Sequence, residues 1–365
     1  MRVGVDGRSL AGADRGVAHY TNALLAALAT RFPDDEWRVL VPDGELPRLA
    51  AGIEVRRVRV PGRLLYGAGA LSGLPRLDRL LGARPDVFWA PAPAPLALSR
   101  DVPLVLTLHD LSWVQRPRDF SAYERFWHGA ARPRRLARRA ARVLSVSEAT
   151  RREALARWKL PAERVSVVPS GVGVPAPVDP EAVAAVRRRF GLPERYLLFV
   201  GALEPRKAPD VLVRAFFRAR RSGLDAALVL AGSGRLAGNL AGSGVHLLGR
   251  VDAPTRDALY RGALALVLPS WVEGFGFTPL EALAHGTPAI VSDLPVLREA
   301  LGAAALYVPP GDADALAATL GQIAREEPLR RRLVLAGRDA LAELTWPRAA
   351  ERTRFVLAEA AERRG

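Results

Sequence analysis

Two glutamates, Glu273 and Glu281, bracket seven uncharged residues in WVEGFGFTPLEALAHGTP (271–288). A glycine-rich, aromatic turn is an unusual setting for a carboxylate, which normally sits on a solvated face. The apolar run ALALVLPS precedes it, so Trp271 to Gly276 is predicted as a strand-to-helix turn and Thr278 to His285 as the helix. Gly274 and Gly276 permit positive φ and close backbone approach of a ligand. The N–H groups of a helix start attract phosphate, and Pro279 suits a first turn. Glu273 before the helix and Glu281 within its first turns can then face one ligand. Each glutamate alone is read more simply, as a solvated loop residue and as a partner of the helix dipole.

Two cations stand in a similar place. VGALEPRKAP follows the strand-like YLLFVGA and opens the helix DVLVRAFFRARR, which puts Arg206 and Lys207 at the mouth of a sheet. The dipole disfavours cations at a helix N-terminus, so their presence asks for an anion such as a diphosphate. His109, with Asp110 beside it, ends the nearly apolar strand PLVLTLHD at a sheet's functional edge, whereas His19, His128, His246 and His285 read as structural.

Other stretches imitate chemistry. GSGRLAG (232–238) resembles a dinucleotide fingerprint, but its third glycine comes one place late and no acidic residue follows at the ribose-reading offset, so it reads as a turn. DAD (312–314) imitates a metal-binding aspartate pair, yet it leads a helix and capping explains it better. The run RPRRLARRAAR (132–142) reads as a solvated helix face with Leu136 and Ala140 inward, and secondarily as a membrane contact.

The elements that must position these groups are written twice. Short aliphatic runs alternate with helical segments, the pattern of parallel sheets with crossover helices. RVGVD, WRVLVP, VRRVRV, DVFWAP, PLVLTLHD, RVLSVSE and VSVVPS form one set; RYLLFVGA, AALVLAG, VHLLGRV, LALVLPS, PAIVSD and AALYVPP form the other. Between them SGVGVPAPVDPEAV (170–183) is too rich in Gly and Pro for either ladder. The expected division is residues 1–175, 176–345 and a final helix in 346–365 that packs back on the first domain, with Trp346, Ala350, Phe355 and Leu357 as its buried stripe. Two open α/β sheets facing each other would leave a ligand cleft at their strand C-terminal ends.

The totals agree with a two-domain enzyme: 365 residues, 49% hydrophobic and 25% charged. The absence of cysteine excludes disulfides, thiolate zinc sites and a cysteine nucleophile. A formal charge of +15 welcomes anions. The opening MRVGVDG lacks the pattern of a signal peptide, and no apolar stretch approaches the ~20 residues of a membrane span. A cytoplasmic location is expected, peripheral contact at the inner face of the membrane included.

EGFGFTPLE is similar to the E-x7-E signature of retaining glycosyltransferases of the GT-B fold, the large family 4 or group 1. DRGVAHYTNALLAAL, LTLHDLSW, VSEATRRE, VVPSGV, VGALEPRKAP and LGRVD fall in that family's order and spacing, so the resemblance covers nearly the whole chain. It departs at Ser170 and Ala208, where the family often has Asn.

The resemblance implies an α/β, GT-B architecture of two Rossmann-like doubly wound domains across a cleft, with the donor mainly on the second. Glu281 would take the ribose hydroxyls, Arg250 and Val251 would line the base pocket, and the turn Gly274, Phe275, Gly276 with the amides of Phe277 and Thr278 would meet the diphosphate. Glu273 would hold sugar hydroxyls, Arg206 and Lys207 the leaving diphosphate, and His109 would contact the transferred sugar. Gly16 would bring a backbone amide to the donor phosphate or acceptor. The implied reaction moves a hexosyl group, mannosyl favoured, from a nucleoside diphosphate sugar to a glycan, lipid-linked or small-molecule hydroxyl. It retains configuration, needs no metal or other cofactor, and involves no nucleic acid. The rivals are a glycoside hydrolase, a sugar-nucleotide epimerase and a non-catalytic anion- or nucleic-acid-binding protein. The hydrolase has no use for a diphosphate site, and a nucleic-acid binder would leave these motifs idle.

Overall fold

The computed structural model describes residues 1–10, 16–44 and 49–362. The chain divides into two compact units, Met1–Gly171 with Leu344–Gly365, and Val172–Glu343. The first division in sequence falls inside the Gly- and Pro-rich stretch 170–183.

Among the described residues the first unit carries seven strands: β1 (Arg2–Asp6), β2 (Glu36–Asp43), β3 (Ile53–Pro61), β4 (Val87–Ala90), β5 (Leu104–Leu108), β6 (Arg142–Ser145) and β7 (Val165–Val167). They pair in the order β3-β2-β1-β4-β5-β6-β7, every pair parallel. Helices cover both faces of such a sheet, so its central strands are apolar throughout rather than alternating; β4 and β5 are buried at every position.

The second unit carries β8 (Tyr196–Val200), β9 (Ala227–Ala231), β10 (Val245–Gly249), β11 (Ala265–Leu268), β12 (Ala289–Ser292) and β13 (Ala305–Val308), ordered β10-β9-β8-β11-β12-β13 and again all parallel. All thirteen strands among the described residues fall on the runs named above. The sheet tolerates a tight approach of two loops because of glycine. At Gly232 (φ 154°) a Cβ would lie 1.8 Å from the Gly201 carbonyl oxygen, and Leu203 exchanges backbone hydrogen bonds with Ser233 and Leu236 there. GSGRLAG is thus a turn whose glycines admit neighbouring backbone.

The C-terminal helix Trp346–Glu362 belongs to the first unit and packs against helix Gly16–Arg31. Its buried residues are Ala349, Ala350, Thr353, Val356, Leu357 and Ala360. Phe355, expected in that stripe, is 63% exposed. At about 100° per residue it stands roughly 140° around the helix from Ala350, whereas Leu357 returns to the Ala350 face. Trp346 is half-buried, its ring 6.1 Å from that of Tyr20.

Candidate active site

In the second sheet, connections leave β8 towards β9 on one side and β11 towards β12 on the other, so β8 and β11 flank a topological switch point, where open α/β sheets bind ligands. The loops that follow these two strands carry the cations and the first glutamate. Lys207, in the 3-10 turn Pro205–Lys207, places Nζ 2.5 Å from Glu273 Oε1. Ser270 Oγ donates to the same oxygen at 2.6 Å, and the Trp271 amide donates to the Arg206 carbonyl at 2.9 Å. The Lys207 and Glu273 side chains are only 13% and 9% exposed, so each charge depends on its partner. Glu273 is an anion that faces Lys207. Among the described residues the half-buried Arg206 guanidinium has no carboxylate partner.

Ala208 follows in the left-handed region at φ 50°, fully buried, and leads into helix Pro209–Arg221. Asn adopts this conformation more readily than Ala, which gives a physical reason for the family's usual residue.

Helix Phe277–Ala284 starts at Gly276, whose φ of 95° only glycine adopts cheaply; a Cβ there would also lie 2.7 Å from Leu297 Cδ2. Gly274 and Phe275 are buried, and the Phe275 ring packs 5.0 Å from that of Phe277. What Phe275 offers a ligand is therefore backbone. Phe277 and Thr278 are half-buried at the first turn, where helix amides present positive charge.

Glu281 has its own partners. The fully buried Tyr260, in helix Ala253–Gly262, donates its hydroxyl to Glu281 Oε2 at 2.9 Å. Burial first, and the Glu281 charge second, push the Tyr260 phenol well above its ordinary range. Burial alone would lower Arg256, but Glu281, Tyr260 and Asp257 more than offset it and raise its pKa. The two glutamates are thus held by separate sets of neighbours. Exposed Arg250 and half-buried Val251 follow β10, with Val251 packed on the unit's core.

In the first unit the switch point lies between β1 and β4. Beyond it, Arg8 Nη2 donates to the Pro93 carbonyl at 3.1 Å, and the buried Tyr66 hydroxyl donates to Asp6. His109 follows β5 with Nε2 2.8 Å from the Pro91 carbonyl oxygen. A carbonyl only accepts, so Nε2 carries the proton. The Tyr20 ring meets the imidazole edge-on at 4.6 Å. Burial lowers the His109 pKa below its ordinary value, against the opposing pull of the Pro91 carbonyl and Asp110. Its neutral form leaves Nδ1 as an acceptor. Gly16 is the exposed first residue of helix Gly16–Arg31, and the preceding part of the GADRG segment, residues 12–15, lies outside the described residues.

The remaining motifs have structural partners. Asp312 accepts from the amides of Asp314 and Ala315 at 3.0 and 2.9 Å, capping helix Ala313–Arg325. The His128 ring stacks on Trp113 at 5.4 Å, and His285 Nδ1 lies 2.9 Å from the Glu281 carbonyl oxygen. Leu136 and Ala140 of the arginine run are buried. Among the described residues no three His, Asp or Glu side chains cluster as a metal site would require, and no helix is long and apolar enough to cross a membrane.

Family models agree with this architecture. The model described as Glycosyl transferases group 1 matches residues 194–326, and that of the Glycosyl transferase 4-like domain matches residues 15–171. The chain belongs to the group 1 glycosyl transferases. A D-inositol 3-phosphate glycosyltransferase of Thermobispora bispora is 36% identical over 242 residues, 60% of this chain and 55% of the relative. A phosphatidyl-myo-inositol mannosyltransferase of Mycobacterium leprae is 32% identical over 201 residues, 52% of this chain and 53% of the relative. The matched stretch therefore spans about half the length of these curated relatives. Sucrose-phosphate synthase from Thermosynechococcus elongatus has the same fold, with a TM-score of 0.74 over 98% of both chains at 20% identity. Within this group 1 glycosyl transferase, the residues that sequence reasoning missed are Ser270, Tyr260 and Arg256. Ser270 ends the strand-like LALVLPS and Tyr260 lies in an ordinary helix, so neither carried a local signal of its own.

Proposed function

We propose that this chain transfers a hexosyl group, mannosyl favoured, from a nucleoside diphosphate sugar to an acceptor hydroxyl with retention at the anomeric carbon. The observation that carries the reading is the Lys207–Glu273 pair at the switch point of the second sheet, in the same unit as the glycine helix start at Gly276. The mannosyltransferase among the relatives supports the choice of sugar.

The bond between the anomeric carbon and the diphosphate oxygen breaks as the acceptor oxygen bonds to the same face. The departing phosphate oxygen takes the acceptor's proton, so no protein base is needed. Arg206, Lys207 and the amides of Phe277 and Thr278 stabilise the leaving diphosphate, as fixed charges and dipoles do best. These groups let the reaction proceed without a metal. Glu273 orients Lys207 and holds sugar hydroxyls, Glu281 binds ribose, and Arg250 and Val251 line the base pocket. On the first unit, His109 meets the transferred sugar as a neutral hydrogen-bonding group rather than a nucleophile, and Gly16 offers backbone to phosphate or acceptor.

The acceptor is a glycan, a lipid-linked sugar or a small-molecule hydroxyl, met in the cytoplasm or at the inner face of the membrane. Peripheral contact is supported by Leu64, Leu71, Tyr123 and Phe126, which are 65, 92, 52 and 68% exposed on helices Gly62–Ser72 and Ala122–Ala131. Arg125, Arg132, Arg135 and Arg138 line a cavity of about 740 Å³ with Trp113 and Trp158. Apolar side chains beside arginine suit an anionic interface.

The test is a thermal-shift screen of GDP-mannose, UDP-glucose, ADP-glucose, dTDP-rhamnose and UDP-N-acetylglucosamine without metal, on the wild type, Glu281→Ala and Lys207→Ala. One donor should raise the melting temperature, and both variants should lose that rise. No shift with any donor would overturn the reading.

A further inference from the structure

A carboxylate that reads a ribose diol has to hold its oxygens still. Glu281 is half-buried on a short helix, and its own side chain has three rotatable bonds, so backbone placement alone does not fix its oxygens. The constraint comes from a different helix. Tyr260 Oη donates to Glu281 Oε2 at 2.9 Å. Tyr260 is itself immobilised at several points: its ring is fully buried, its carbonyl accepts from Thr287 Oγ1 at 2.5 Å, and the His285 ring lies 5.3 Å away. His285 and Thr287 both belong to the turn that ends the Glu281 helix, so this contact ties the two helices from both sides.

From this juxtaposition we infer that Tyr260 is a positioning residue: by committing one Glu281 oxygen to a fixed phenol, it aims the other at the ribose hydroxyls and sets the preference for ribonucleotide donors. The inference rests on the proposed ribose-binding role of Glu281. The chemistry favours the phenol for this task. It donates one hydrogen bond without neutralising the carboxylate, and burial beside Glu281 keeps it protonated. Arg256 adds electrostatic attraction from the same helix. A cation in direct contact would compete with the ribose for both oxygens, whereas the phenol occupies one.

Isothermal titration of UDP and GDP against their 2′,3′-dideoxy counterparts separates positioning from general damage. The wild type should prefer the ribonucleotide by about ten-fold or more, as expected for hydrogen bonds to a charged group. In Tyr260→Phe that ratio should collapse to within about three-fold while affinity for the dideoxy form stays unchanged, since a bond to the charged group loses its geometry and little else. The inference is overturned if Tyr260→Phe keeps the wild-type ratio, or if it weakens both forms equally, which would mark a structural role. Glu281→Ala tells the two readings apart. A ratio lost in Glu281→Ala but kept in Tyr260→Phe leaves the ribose role standing and removes Tyr260 from it. A wild type without any preference removes both. Should Tyr260→Phe not fold, Thr287→Val provides the same test, because it releases the Tyr260 carbonyl while keeping the ring and hydroxyl, and the ratio should fall in it as well.

Discussion

Lys207 and Glu273 lie 66 residues apart in sequence and 2.5 Å apart in space, joined across the two loops that leave the adjacent strands β8 and β11. Removing one partner takes the opposite charge from the other in a site where neither side chain is more than 13% exposed. Glu273→Ala and Lys207→Ala should each cost about 2–3 kcal/mol of stability, somewhat below the range for a fully buried pair. The double variant should cost less than the sum, with a coupling of about 1–3 kcal/mol in a urea-unfolding cycle. Additive losses would show that the pair is not an interacting unit.

Gly276→Ala tests the helix start. The left-handed backbone costs an L-residue about 1–2 kcal/mol, and the new methyl would lie 2.7 Å from Leu297 Cδ2, the tip of a fully buried side chain that must shift. A melting temperature lower than wild type is expected, together with a donor affinity reduced by about ten-fold as the first-turn amides shift.

The stability of the first unit should depend on pH through His109. Its folded pKa is lowered, so below about 6.5 the unfolded chain binds a proton that the folded chain refuses. This contribution is fully present above the unfolded pKa and is lost as pH falls towards the folded one. His128 is lowered in the same direction, chiefly by burial. His109→Gln should therefore flatten, without abolishing, the fall of melting temperature below about pH 6.5. An unchanged slope would contradict a neutral buried imidazole.

The aspartates of DAD should matter to the fold and not to the chemistry. Asp312→Ala removes a cap that accepts two amides and should cost about 1 kcal/mol. Transfer activity should persist in the variant, and in excess chelator for the wild type. Loss of activity on chelation, restored by a divalent cation, would refute the metal-independent mechanism.

Much of this was readable from local pattern. The central strands follow from apolar runs because a parallel sheet buried on both faces demands them, and Gly276 and Asp312 follow from turn and cap chemistry a few residues long. Phe355 was misplaced because a stripe read from four apolar letters did not respect the 100° step of the helix.

The sequence by itself determined the two α/β units, the glycine-rich helix start, and which residue types are available to bind a diphosphate. The tertiary structure alone decided who meets whom: Glu273 with Lys207, Glu281 with Tyr260, and His109 with the Pro91 carbonyl. The reason is physical. Strand runs and caps are set by neighbours within a few residues, whereas partners across loops depend on sheet order: β11 beside β8 brings Glu273 to Lys207, and β4 beside β5 brings the Pro91 carbonyl to His109.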